Sequence, residues 1–208
     1  MKKVDICPGN LATGFDKYCP HCIRQLFDGV RVNPVLDFDY DADSVNLVQN
    51  INQLSVSGVQ EKLSTIVADG KIVLTPAGER GRYIIKPAPA YKHLRFREQI
   101  PANENLTMQI ARQVYKIQTA ENGLVFFRNG EVAYITKRFD YDASGNKIKQ
   151  EDFASLARKN TATHGDEFKY TGNSKDAAVL LKKTCFCVAG ADEPFFRIGS
   201  FSLTAMRI

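Results

Sequence analysis

Two pieces of this sequence hold residue types that together could grip a phosphate. The first is the turn Ser55-Val56-Ser57-Gly58-Val59-Gln60. Small residues and a glycine there let backbone N–H groups approach an anion without a Cβ in the way. The second is Lys86, set in the apolar run Tyr83-Ile84-Ile85-Lys86 and stopped by Pro87. A lysine at the end of such a run supplies a point charge to a phosphate. Each piece also has a plainer explanation. The turn lacks the three glycines of a glycine-rich nucleotide loop, has no Gly-Lys-Ser/Thr, and reads equally as a polar β-turn. Lys86 reads equally as an edge-strand lysine whose stem lies on the sheet while its ammonium reaches water. Glu104 opens a helical pattern, where an acid can orient a lysine or can simply favour a helix N-terminus.

Cys7, Cys19 and Cys22, with His21 between the last two, raise the question of zinc. Cys19 and Cys22 form a Cys-x-x-Cys knuckle, half of many zinc sites. Cys7 stands apart from it, no Cys or His follows at ribbon-like spacing before His93, and His21 is badly placed to join. Zinc is therefore not expected, and a small buried cluster of free cysteines under a turn is. Asp37, Asp39, Asp41 and Asp43 alternate with apolar or aromatic residues, but the glycine and terminal glutamate of a calcium loop are missing, so a solvated face is expected. His93 and His164 lie in polar stretches without a catalytic partner.

The elements that must position these residues follow from periodicity and punctuation. Pro20 to Phe27 predicts a short helix ended by Asp28-Gly29. Ser44 to Gln53 predicts another. Leu63 to Ala68 and Lys71 to Thr75 flank Asp69-Gly70, a two-residue hairpin signal, and Tyr83 to Lys86 is the next strand. Asn103 to Tyr115 predicts the clearest helix, with Leu106, Met108, Ile110, Ala111 and Val114 at near-helical spacing and Pro101 just before it. Gly123 to Phe127 and Glu131 to Phe139 form a second hairpin about Asn129-Gly130. Asp142 to Lys147 reads as a polar turn, and Glu151 to Lys159 and Ser174 to Lys183 as further helices. The order gives an α+β layout, an antiparallel sheet with one helix packed across it. Residues 1–30 read as a small Cys-containing segment, 31–53 as an extended connector, and 54–208 as the main domain.

Composition sets the outer limits. At 208 residues, with 44% hydrophobic and 25% charged residues, the chain suits one globular domain with an appendage. Lysine and arginine exceed aspartate and glutamate by 28 − 23 = 5, compatible with a phosphate-bearing partner. No basic run marks a nucleic-acid arm, no apolar run reaches membrane-spanning length, and the first ten residues are no signal peptide. Five cysteines without a dense framework suit a reducing compartment, so a cytoplasmic location is expected.

Five blocks carry a resemblance: Ser-Gly-Val-Gln-Glu-Lys-Leu at 57–63, Gly-Arg-Tyr-Ile-Ile-Lys-Pro at 81–87, Asn-Glu-Asn-Leu-Thr-Met at 103–108, the run Gly130 to Asp140, and Lys147 to Phe153. In this order they resemble the HipA family, serine/threonine kinase toxins of bacterial toxin–antitoxin systems, and within it the compact HipT-like arrangement. The resemblance implies a protein-kinase-like N-terminal lobe followed by C-terminal helices. It implies that Lys86 holds the phosphates of ATP, that Ser57, Gly58, Val59 and Gln60 cover them, and that Glu104 orients Lys86. It also implies that Lys137 and Phe139 belong to a hinge beside the adenine, and that Ser55 and Ser57 are autophosphorylation candidates. A phosphoserine there would repel the ATP phosphates. The implied cofactors are ATP and Mg²⁺. The implied partners are a HipB-like antitoxin or a HipS-like small protein, with DNA reached only indirectly, and a protein substrate such as an aminoacyl-tRNA synthetase. A homo-oligomer is compatible with it.

One part of the pattern is missing. The family carries Gly-Asn-x-Asp-x-His-x-x-Asn and a later metal-binding Asp, and this sequence has neither. The chain is therefore expected to be catalytically incomplete as it stands. Its closing Thr204-Ala205-Met206-Arg207-Ile208 can be written as a frame-shifted reading of Asn-Gly-Asp-Ala-His, so a truncating frameshift is one expectation. A non-catalytic module that docks on a kinase or on a DNA-binding antitoxin is the alternative.

Overall fold

The computed structural model describes residues 5–40, 61–89, 95–141, 144, 146–148 and 157–159. The chain divides into two compact units, the first containing Met1–Phe139 and the second Asp140–Ile198. In the second unit the described residues include an antiparallel bridge between Tyr141 and Lys147, with Ile148 N–H donating to the Asp140 carbonyl at 2.8 Å. Residues 157–159 form a turn with Arg158 at φ 57°, where a continuous helix to Lys159 was expected. The expected helices at 44–53 and 174–183, and the rest of 151–159, lie outside the described residues.

In the first unit, helix α1 spans Pro20–Phe27 and ends as its sequence predicts. Pro20 starts it, where a missing N–H costs nothing. Asp28 takes the left-handed conformation (φ 54°), and Gly29 follows at φ 85°. Strands β1 (Leu63–Ala68) and β2 (Lys71–Leu74) form the predicted hairpin. Asp69 and Gly70 both have positive φ, at 50° and 73°, which suits a primed turn and the strands' own twist. Strand β3 is Tyr83–Lys86. A 3-10 turn at Arg97–Gln99 leads into helix α2, Ile100–Gln113. Strands β4 (Asn122–Phe126) and β5 (Val132–Lys137) form the second hairpin about Gly130, at φ 88°.

The sheet order is β2-β1-β3-β5-β4, antiparallel throughout. Among the described residues, one connection leaves the local meander. It runs from β3 through α2 to the far edge, and α2 packs on β4 and β5. The α+β class is thus as expected, a five-stranded sheet with one helix across it. No helix among the described residues is long and apolar enough to cross a membrane.

Side chains alternate between the two faces of a strand. One face carries Leu63, Tyr83, Ile85, Val125, Ala133 and Ile135, all buried. These pack with Tyr18, Leu26, Phe27 and Leu36 in a single core shared by residues 5–40 and the sheet. Tyr18 and Phe27 meet edge to face at 4.8 Å between ring centroids. Burying each Leu or Ile there contributes about 1.5–3 kcal/mol. The segment 34–38 runs beside β4, with Phe126 N–H donating to the Pro34 carbonyl and Leu36 N–H to the Phe126 carbonyl, each at 2.8 Å. The opposite face lies under α2 and carries the candidate site.

Candidate functional site

Lys86 is the last residue of β3, directly opposite Tyr134 of β5. Cross-strand partners share a face, so both side chains point toward α2. Glu104 stands on that helix, and Lys86 Nζ donates to Glu104 Oε1 at 2.5 Å. The two side chains are only 13% and 16% exposed, so the pair is largely shielded from screening by solvent. The ammonium also lies 5.4 Å from the centre of the Tyr134 ring, within cation–π range. Burial pushes the Tyr134 phenol well above its ordinary range, and the Glu104 carboxylate adds to the effect. Tyr134 therefore stays neutral and forms an aromatic wall beside the lysine. An ammonium has three donors, and Glu104 engages one.

Helix α2 begins earlier than its apolar pattern suggests, at Ile100, with Pro101 in its first turn. Glu104 consequently lies beyond the first turn, which contains no acidic residue. The macrodipole explanation of Glu104 loses its basis, and the contact with Lys86 is what remains. The helix is held in place by a buried polar network. Gln109 Nε2 donates to Asn122 Oδ1 at 2.9 Å and to Asn105 Oδ1 at 3.3 Å. Asn122 Nδ2 donates to the Ala120 carbonyl at 2.7 Å. At its C-terminal end Arg112 grips Glu121 Oε2 and the Ala120 carbonyl, each at 2.9 Å.

The remaining expected site residues fall in different places. Lys137 is opposite Tyr83, on the sheet face away from Lys86. Its ammonium bonds Asp28 Oδ1 at 2.5 Å, beyond the end of α1. Asp28 also accepts from Arg82 at 3.1 Å, so this carboxylate ties the helix end to β3 and β5. Phe139 is half-buried just past β5. Ser55, Ser57, Gly58, Val59 and Gln60 lie outside the described residues. Tyr134 was missed, because its role depends on pairing between β3 and β5, strands separated by a helix and a further strand.

A second cluster surrounds Cys7, which had read as standing apart. The fold brings the sulfurs of Cys7, Cys19 and Cys22 within 4.8 Å of one another, and all three residues are buried. Cys7 Sγ lies 3.6 Å from Cys22 Sγ and accepts the Cys19 N–H at 3.2 Å. The contact with Cys22, helped by backbone N–H groups of Cys19, Asn10 and Gly9, holds the Cys7 thiol well below its usual range. The same contact and burial push Cys22 up. His21 is exposed, as its sequence position implies.

Comparison with known proteins bears on the first site. The family model described as HipA-like C-terminal domain matches residues 54–205. A curated protein of Haemophilus influenzae named "Putative kinase" is 28% identical over 191 residues, covering 87% of this chain and 52% of its own length. The chain thus spans about half the length of that relative. A solved structure, titled as the HipA, HipB and operator DNA complex of a toxin–antitoxin system from Shewanella oneidensis MR-1, aligns with 55% of this chain and 29% of its own. The identity there is 21% and the TM-score 0.32.

Proposed function

The chain belongs to the HipA-like C-terminal domain family, and on that premise we propose that it is the nucleotide-binding lobe of a HipA-like serine/threonine protein kinase toxin. The observation that carries this reading is the Lys86–Glu104 pair. Protein kinases require a strand lysine held by a glutamate of the neighbouring helix, so that its ammonium meets the ATP phosphates. The strand, the helix and the intervening connection here supply that pair in that order. In the proposal Lys86 contacts the phosphates with donors that Glu104 leaves free, Tyr134 walls the site, and the Ser- and Gly-containing turn at 55–60 is the expected phosphate-binding segment. Lys137 and Phe139 would contribute to the adenine side through the backbone around the end of β5.

The proposed cofactor is ATP, whose phosphates would meet the Lys86 ammonium. Mg²⁺ is a poorer match, because the carboxylate at this spot, Glu104, is engaged by Lys86 and six oxygen ligands are needed. In kinases the metal ligands and catalytic base come from the catalytic loop and beyond, and the Gly-Asn-x-Asp-x-His-x-x-Asn pattern is not among these 208 residues. The chain alone is thus proposed to bind nucleotide without transferring phosphate. In a complete kinase the γ-phosphoryl would pass to a protein serine. A HipB-like antitoxin or HipS-like protein would be the regulatory partner, and Ser55 or Ser57 would be the self-modified residue.

Thermal unfolding with and without ATP tests the reading. A ligand at about one hundred times its Kd stabilises the native state by about 2.7 kcal/mol. The expected result is a clear upward shift for the wild-type chain and a much smaller one for Lys86→Ala. No shift in either protein would remove the proposal. A non-catalytic docking module is the second reading, favoured by one observation. The outer face of α2 and its C-terminal end leave Leu106 47%, Ile110 42% and Val114 66% exposed. Absence of nucleotide binding together with tight binding to a partner protein would decide for it.

A further inference from the structure

Cys7, Cys19 and Cys22 lie outside the stretch that matches the family model, residues 54–205. We propose that they form a structural thiolate site for one Zn²⁺-class ion, with Asn10 Oδ1 at the fourth position. Geometry carries the assignment. Tetrahedral zinc with bonds of about 2.3 Å to sulfur places its sulfurs about 3.8 Å apart. Cys7 Sγ and Cys22 Sγ are 3.6 Å apart, and all three sulfurs lie within 4.8 Å. Asn10 Oδ1 is 3.7 Å from Cys19 Sγ, close to the same tetrahedral edge. His21, the other nearby ligand type, is exposed and takes no part.

The surrounding backbone is shaped for sulfur. Cys7 and Asn10 sit on a tight turn closed by Cys7 N–H to the Ala12 carbonyl at 2.8 Å and by a bridge between Ile6 and Thr13. Leu11 is held at φ 64° to complete that turn. Cys19 precedes α1 and Cys22 lies in its first turn, where the helix dipole favours thiolates. A Cβ added to Gly9 would come within 2.5 Å of Cys22 Sγ, so the turn wraps the sulfur as closely as glycine allows. The sequence repeats itself at the two corners, Cys7-Pro8-Gly9-Asn10 and Cys19-Pro20-His21-Cys22. The second corner has a thiol where the first has an amide.

There is also a reason for a staple. The only helix or strand in residues 5–40 is one helix of eight residues. The segment's side chains share the core of the sheet, and a metal would add a local tie to the turn around Cys7. This turn is docked on the kinase-like lobe, since the Pro8 carbonyl accepts Leu124 N–H at 2.8 Å and Asn105 Nδ2 at 3.5 Å. Asn105 belongs to α2, the helix that carries Glu104. The ion would therefore brace the helix from outside the nucleotide site.

The test is titration of the full chain, purified reduced and stripped of metal, with Co²⁺ alone. About one equivalent should produce sulfur-to-cobalt charge-transfer absorption and the visible bands of tetrahedral Co²⁺, and Zn²⁺ should displace both. Cys22→Ser should lose the charge-transfer intensity. Asn10→Cys should increase it and tighten binding, and this variant keeps the test meaningful if Cys22→Ser fails to fold. Absence of tetrahedral bands in wild type would overturn the proposal, whatever Asn10→Cys shows. So would loss of two hydrogens by mass through a Cys7–Cys22 disulfide in protein isolated under reducing conditions. Neither outcome touches the ATP reading, which stands on Lys86.

Discussion

Lys86 and Glu104 are the residues on which the proposed function turns, and each can be probed without dismantling the fold. Glu104→Gln keeps the size of the side chain and removes its charge. Lys86 would keep its place on β3 but lose the charge-assisted partner that aims it. The expected result is a several-fold weaker ATP affinity with a small change in thermal stability, read by calorimetric titration and thermal unfolding. Unchanged affinity would mean that Glu104 does not orient the lysine. The sequence made Lys86 and Glu104 visible as candidates and their pairing one of two readings, since Glu104 had an equally good explanation as a helix-terminal acid. Only the true start of the helix, at Ile100, removed that alternative. The buried cluster of free cysteines is as expected, but the place of Cys7 beside Cys19 and Cys22 was not legible. Side chains that converge from a turn and a helix leave no fixed spacing in the sequence.

At the scale of elements, Gly81 is informative because it sits at the entry to β3, in the Gly-Arg-Tyr-Ile-Ile-Lys-Pro block. A Cβ there would run into Ser64 Oγ and come within 2.7 Å of Thr75 Oγ1. Those two hydroxyls are bonded to each other at 2.9 Å across β1 and the end of β2. Gly81→Ala should destabilise the protein by about 1–3 kcal/mol, as overpacking does, measured by denaturant unfolding. Adding Ser64→Ala should recover part of the loss, and no recovery would assign the cost elsewhere. Helix α2 yields a second prediction. Gln109→Leu would leave Asn122 Oδ1 and Asn105 Oδ1 without the bonds Gln109 provides, costing about 1–3 kcal/mol. A neutral substitution would show that the network is dispensable. This helix is also where periodicity misled. Leu106, Ile110 and Val114 recur at the right spacing but face outward, while Asn105, Met108 and Gln109 are buried. The sheet beneath presents Asn122, Tyr134 and Thr136, whose polar groups call for polar partners. Hydrophobic spacing carries no trace of that demand. The hairpins were legible because Asp69-Gly70 and Asn129-Gly130 determine their own turns locally.

For the molecule as a whole, the α+β class and the strand sequence followed from turn residues and alternation, whereas the order β2-β1-β3-β5-β4 depended on long-range pairing. The two faces of the sheet divide the work. One is an apolar core shared with residues 5–40, and the other holds the lysine and its helix. The central claim is that this second face binds ATP through Lys86. The most direct measurement is a calorimetric titration of ATP into the wild-type chain, Lys86→Ala, Glu104→Ala and the double variant. Wild type should bind one ATP per chain, and Lys86→Ala should lose about 1.5–3 kcal/mol, roughly ten- to a hundredfold in Kd. Glu104→Ala should add little once Lys86 is gone. Equal ATP affinity in wild type and Lys86→Ala would contradict the central claim.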